Sequence, residues 1–243
     1  MKKLMLITAL TSTLAGGVVH AQEAKPDHEI SFNASVVSDY RYRGISQTRL
    51  RPALQGGADY THTPTGLYAG TWLSTIRWIK DAGGDAGVEW DIYGGKKGEF
   101  APGISYDVGV LRYQYPSNDL NPSANTTELY GQVGYGPGYV KYSHALTNLF
   151  GFADSKRSGY LDVGANVEVG SGLILNLHVG HQKVKNQSAF SYTDWKVGVT
   201  KDFGFVTGAV AVIGTNNDNY VGPGSDRKNL GKNGLVVSVA KTF

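Results

Sequence analysis

The sequence predicts an all-β fold, an antiparallel up-and-down transmembrane β-barrel of twelve strands. Three observations carry that prediction. Short segments with a period of two run from Ile30 to the end of the chain, their connections alternate between short and long, and the last strand ends on Phe243. Composition agrees: glycine supplies 33 of 243 residues and tyrosine (15) outnumbers phenylalanine (8), with glycine at about twice its usual ~7%.

The segments follow in order. Ile30–Tyr42 opens the series, followed by Ala53–Thr61, Leu67–Ile76 and Val88–Gly95. Ile104–Tyr115, Thr127–Tyr135, Tyr139–Leu146 and Tyr160–Val169 come next. Leu173–Gln182, Tyr192–Asp202, Phe205–Ile213 and Gly234–Phe243 complete the twelve. The eighth sets Leu161, Val163, Ala165, Val167 and Val169 on one face and Tyr160, Asp162, Gly164, Asn166 and Glu168 on the other. The ninth sets Leu173, Leu175, Leu177 and Val179 against Asn176 and His178; the tenth sets Trp195, Val197 and Val199 against Asp194, Lys196 and Thr200. In Leu67–Ile76 and Ile104–Tyr115 neither face is cleanly apolar, so no facing is assigned there.

A soluble β-sandwich also alternates, with its apolar faces turned inward. The connections favour the barrel instead. Gly136–Gly138, Gly170–Gly172 and Gly204 are short, with His62–Gly66 and Lys96–Gly103 somewhat longer. Interleaved with them are Gly44–Pro52, Arg77–Gly87, Pro116–Thr126, Thr147–Gly159, Lys183–Ser191 and Gly214–Asn233. With an even strand count both chain ends fall on the short-turn side. Aromatic residues near strand ends (Tyr40, Tyr42, Tyr60, Tyr113, Tyr115, Tyr135, Tyr160, Tyr192, Trp195 and Phe203) read as interfacial girdles. Leu235, Val237, Val239, Lys241 and Phe243 share a face, and this strand resembles the C-terminal signal read by the barrel assembly machinery.

The N-terminus reads as an export signal. Met1-Lys2-Lys3 is followed by apolar Leu4–Leu14 and by Val19-His20-Ala21, so residues 1–21 are expected to be a cleaved signal peptide and residues 22–243 the barrel. Without Lys2 and Lys3 the 23 Lys+Arg fall to 21 against 20 Asp+Glu. That balance exerts no general pull on nucleic acid. Beyond the signal, no apolar run of about 18 residues indicates a spanning helix. The absence of cysteine excludes disulfides, thiolate metal sites and cysteine nucleophiles.

Several strings go beyond generic barrel features. Ser38–Thr48 (SDYRYRGISQT) is followed by Pro52–Tyr60 (PALQGGADY), Gly66–Trp72 (GLYAGTW), Glu89–Gly95 (EWDIYGG), Tyr113–Pro116 (YQYP) and Glu128–Tyr130 (ELY). In this order the chain resembles the TorF-type porin family over nearly the whole of residues 22–243. The resemblance implies an outer-membrane barrel of a Gram-negative bacterium with a channel function. It implies no substrate and no functional residues.

No catalytic constellation emerges. Ser143 and His144 are adjacent on a strand and point to opposite faces, as do His178 and His181. There is no Gly-x-Ser-x-Gly elbow. Gly56-Gly57, Gly83-Gly84 and Gly94-Gly95 lack the strand–loop–helix setting of a nucleotide site. The acids of Asp81–Asp85 and Asp218–Asp226 read as solvated loop charge. The expectation is no enzyme, no cofactor and no metal site.

The informative set is charged and inward-facing. If apolar faces meet lipid, the lumen receives Asp39, Arg41 and Arg43 from the first strand, Glu89 and Asp91 from the fourth and Glu128 from the sixth. It also receives Asp162 from the eighth and Asp194 and Lys196 from the tenth. Tyr40 and Tyr42 then face lipid, and Arg49 and Arg51 sit in or at the end of the first outer loop, towards solvent or lipopolysaccharide. The arginines and acids lie at comparable heights near the outer mouth. Either separated rows of charge set a transverse field in a wet pore, or direct ion pairs fill a narrow lumen. The first is preferred: a passive channel for small hydrophilic solutes. The alternative is a non-conducting barrel acting in adhesion or envelope structure through its long loops. Expected partners are outer-membrane lipid and lipopolysaccharide, the assembly machinery and the solutes.

Overall fold

A computed structural model describes residues 26–223, 225 and 227–243. The expected signal peptide, residues 1–21, lies outside the described residues. Among these, twelve strands close into one antiparallel barrel. They are β1 (His28–Val37), β4 (Ala53–His62), β5 (Leu67–Thr75), β6 (Val88–Ala101), β7 (Ile104–Gln114) and β8 (Thr126–Tyr135). The wall continues through β9 (Gly138–Ala145), β10 (Gly159–Gly170), β11 (Leu173–Lys183), β12 (Tyr192–Asp202), β13 (Thr207–Thr215) and β14 (Gly234–Thr242). A small separate sheet pairs β2 (Arg41–Tyr42) with β3 (Ile45–Ser46). β1 bonds to β4 on one side and to β14 on the other, so the sheet has no free edge. Closure of this kind satisfies every ladder group internally, which a chain crossing hydrocarbon requires.

The burial pattern is inverted relative to a water-soluble protein. Apolar side chains line the outside: Ile30 is 66% exposed, Leu54 63% and Leu235 65%. Charged side chains sit inside, with Glu89 and Asp194 each 1% exposed. An apolar exterior around a polar interior is the transmembrane arrangement. The sandwich, whose apolar faces would turn inward, is excluded.

Strand positions follow the sequence pattern closely, with two departures. The alternation of β6 runs past Gly95 to Ala101, with a register shift between Glu99 and Ala101, so the turn after it is short. β1 stops at Val37. There Ser38 accepts a hydrogen bond from the Val237 amide on its Oγ (2.9 Å) while its own amide donates to the Val237 carbonyl (2.8 Å). The side chain thus takes a ladder position, and the chain leaves the wall and turns inward.

Candidate functional site

Residues 38–52 do not form an outer loop; they fold into the outer mouth of the barrel. β2 and β3 are joined through Arg43 (φ 45°) and Gly44 (φ 80°), two consecutive left-handed residues as in a type I′ hairpin turn. Glycine is required at the second position for a further reason. A Cβ there would lie 2.7 Å from Asp194 Cβ and 2.6 Å from Thr215 Cγ2, because the hairpin tip presses against the wall.

Asp39 organises the base of this segment. It accepts hydrogen bonds from Ser46 Oγ (2.5 Å) and Thr48 Oγ1 (3.3 Å) and pairs with Arg41. Arg41 Nη1 also donates to the carbonyls of Gly44 (3.0 Å), Leu230 (3.1 Å) and Lys232 (3.0 Å). Arg41 therefore ties the hairpin to the last outer loop. Arg49, expected to face solvent, instead pairs with Asp81 in the short helix α1 (Trp78–Asp81).

Arg43 crosses the lumen. Its Nη1 donates to Glu128 Oε1 (3.1 Å) and Gln182 Oε1 (2.6 Å), and its Nη2 to Glu128 Oε2 (2.6 Å). The guanidinium also lies over the ring of Tyr160, 4.1 Å from the centroid, and near that of Tyr42 at 4.8 Å. This forked, charge-assisted pairing fixes orientation as well as distance. At the neighbouring wall, Glu89 accepts from Tyr40 Oη (2.6 Å) and Tyr115 Oη (2.9 Å). Asp91, 3% exposed, has no hydrogen-bond partner for its Oδ1 among the described residues.

Tyr40 and Tyr42 consequently face the lumen and not lipid. Tyr40 packs edge-on against Trp72, and Tyr42 against Tyr113 and Phe150. Tyr113, Tyr115, Tyr160 and Tyr192, also expected in the girdles, are buried inside as well. Tyr60, Tyr135 and Phe203 do lie exposed on the outside. Tyr40, Tyr42, Tyr113 and Tyr115 join Ile76, Ile79, Leu111, Ala124 and Tyr130 in a compact apolar core within the outer mouth, and Tyr192 packs separately with Ile45 and Leu230. That core explains why β5 and β7 alternate poorly. Their inward faces carry Trp72, Leu111 and Tyr113, which pack on the hairpin and on the outer loops.

A second polar group lies along the β10–β12 wall. His178 Nδ1 is 2.7 Å from Asp162 Oδ1, its Nε2 is 2.7 Å from Asp194 Oδ2, and Tyr160 Oη donates to Asp194 Oδ1 (3.0 Å). Lys196 shares that lumen face, and Lys141 lies over the ring of Tyr130 at 4.1 Å. Of the nine charged residues expected inside, the structure thus joins Asp39 to Arg41, Arg43 to Glu128, and Asp162 to Asp194 through His178. Glu89, Asp91 and Lys196 make no ion pair within 4.0 Å among the described residues.

Two gradients shape this lumen. At the outer end Glu89, Glu128 and Asp194 are sealed; further down, Asp59, Asp107, Asp162 and His178 are partly exposed. The lumen is thus a polar well whose side chains are more exposed towards the short turns than at the loops, where residues 38–52 fill it. Around its circumference the charges occupy β4 and β6–β12. The inward faces of β13, β14 and β1 carry mostly small or neutral side chains, Ala209, Ala211, Ser238, Ala240, Ser31 and Ser35 among them, with the larger Val37, Ile213 and Val236 at the loop end and Glu29 at the short-turn rim.

A family model described as "Bacterial protein of unknown function (Gcw_chp)" matches residues 21–243. The chain belongs to this family. Among solved structures, the Gcw_chp chain is similar to the KdgM porin, with a TM-score of 0.56 and 7% identity over 88% of this chain and 97% of that one. It is similar also to the NanC porin, with a TM-score of 0.56 and 9% identity over 88% of this chain and 99% of that one. At these identities the likeness is one of fold. None of the curated protein sequences matches the chain.

Proposed function

We propose that this Gcw_chp barrel is a TorF-type outer-membrane porin of a Gram-negative bacterium, passing small hydrophilic solutes or ions by diffusion. On this reading the chain is exported by its signal peptide, recognised by the assembly machinery through the Phe243 strand, and is not an enzyme. The observation that carries the proposal is the polar well: partly exposed charges line a lumen inside an apolar exterior. The folds of the KdgM and NanC porins lend support. Residues 38–52 act as the constriction, held and bordered by Asp39, Arg41, Arg43, Glu89, Asp91, Glu128 and Asp194, while Asp162 and Lys196, partly exposed below it, set the charge that a solute meets.

Planar-bilayer recording tests this. The folded protein is expected to give small unitary currents, and replacing residues 39–51 by a short Gly/Ser linker to enlarge them. A folded variant with the linker that conducts nothing would overturn the channel reading. It would favour instead a non-conducting barrel acting through its outer loops, a reading supported by the burial of the stopper.

A further inference from the structure

The outer loops carry a second feature, unrelated to the lumen. The loops β9–β10 and β11–β12 border an open polar cleft of about 530 Å³ lined by Asn148, Asp154, Lys156, Arg157 and Lys185. Its walls are fixed internally. Asn186 Nδ2 donates to the Asp154 carbonyl (2.9 Å), Ser158 Oγ to the Ser155 carbonyl (2.6 Å), and the Lys185 amide to Ser158 Oγ (3.0 Å). Among the described residues, none of Lys156, Arg157 and Lys185 has a carboxylate within 4.0 Å, Asp154 of the same cleft included. Three cations and one carboxylate thus line the cleft with no ion pair among them, leaving it net positive and solvent-accessible to an anion.

Register places the cleft relative to the membrane. Val140, Val163 and Val179 form one row on the outer face of β9–β11, followed by Tyr142, Leu161 and His181. The next row outward is His144, Gly159 and Lys183. Directly beyond it, the Arg157 amide donates to the Ala145 carbonyl (2.9 Å), and Lys185 follows two residues after Lys183. The cations therefore cap the lipid-facing apolar band, at the height where headgroups lie.

We propose that this cleft seats the phosphate of an outer-leaflet glycolipid headgroup. Phosphate matches the site because Arg157 offers a planar fork and the two lysines point charges, while Asn148 supplies a neutral donor. The acyl chains would lie along the Val140–Val163–Val179 rows. The proposal rests on the outer-membrane placement argued above and is independent of conduction.

Native mass spectrometry of the folded barrel tests it, using diphosphorylated lipid A, its dephosphorylated form and inorganic phosphate as probes. Substituting Lys156→Gln, Arg157→Gln and Lys185→Gln together should weaken retention of diphosphorylated lipid A roughly tenfold or more. The matched set Lys96→Gln, Lys201→Gln and Lys241→Gln, on the lipid face towards the short turns, should leave it unchanged. Equal loss in both sets, equal retention of the dephosphorylated lipid, or displacement of the lipid by millimolar inorganic phosphate would each overturn the proposal. Insertion into phosphatidylcholine vesicles, scored separately, distinguishes a failure of membrane placement from a failure of this site.

Discussion

Arg43 and Glu128 clasp across the lumen, with two guanidinium nitrogens on two carboxylate oxygens at 3.1 and 2.6 Å. One partner belongs to the inward hairpin and the other to the wall, so this pair holds the stopper in place.

Removing one member strands the other. Glu128→Gln or Arg43→Gln should weaken docking of the hairpin by on the order of 3–5 kcal/mol, the usual effect of leaving a buried charge without its partner. The double substitution should recover part of that loss. Single-channel recording should show larger or more frequent openings in the single variants, with heat-modifiable gel mobility unchanged because the strand ladder is intact. Unaltered currents would remove Arg43 from any gating role.

Tyr40 and Tyr115 both donate to Glu89. Replacing either with phenylalanine deletes one donor to a buried carboxylate and should cost about 1–3 kcal/mol. The loss belongs to the mouth and not to the wall. Protease sensitivity of residues 38–52 should rise in both variants, while the urea midpoint of the barrel stays put.

The small-residue stretch of β13 and β14 is the predicted solute path. The chain has no cysteine, so Ala211→Cys places a single thiol on it and Val212→Cys places one on the lipid face. A charged methanethiosulfonate should lower conductance through the first by more than half and leave the second untouched. The reverse pattern would exclude this route.

Gly180 makes room for a ring. A Cβ there would sit 2.1 Å from Tyr160 Oη, so Gly180→Val must displace the tyrosine that stacks on Arg43. The expected loss is roughly 1–3 kcal/mol or more, as for other overpacked sites. It would be read as a lower urea midpoint of the folded gel band.

The strands were legible in the sequence because each obeys a local rule. Leu161, Val163, Asp162 and Asn166 sort to opposite faces by spacing alone, and the same rule turns Glu89, Glu128 and Asp194 inward. The hairpin was not legible. After a break at Val37 and Ser38 the alternation resumes in phase at Tyr40, Arg41 and Tyr42, so the strand reads as continuing, whereas in the structure the Ser38 hydroxyl stands in for a ladder partner and ends it. Arg43 finds its seat on Glu128, Tyr160 and Gln182, distant residues that only closure brings near. One local sign was present: the mixed faces of Leu67–Ile76 and Ile104–Tyr115, where Trp72, Leu111 and Tyr113 sit among polar neighbours. An apolar inward residue in a polar lumen means that something fills the lumen at that height.

Val37 and Ala53, where the inward segment leaves and rejoins the wall, are themselves paired across β1 and β4. The stopper is thus captive, tethered at both ends to one point on the rim. Were it displaced, it could not be lost, diluted or competed away by another copy. Its return is unimolecular, so closing should proceed at a rate independent of protein concentration, and an opened barrel carries its own means of resealing.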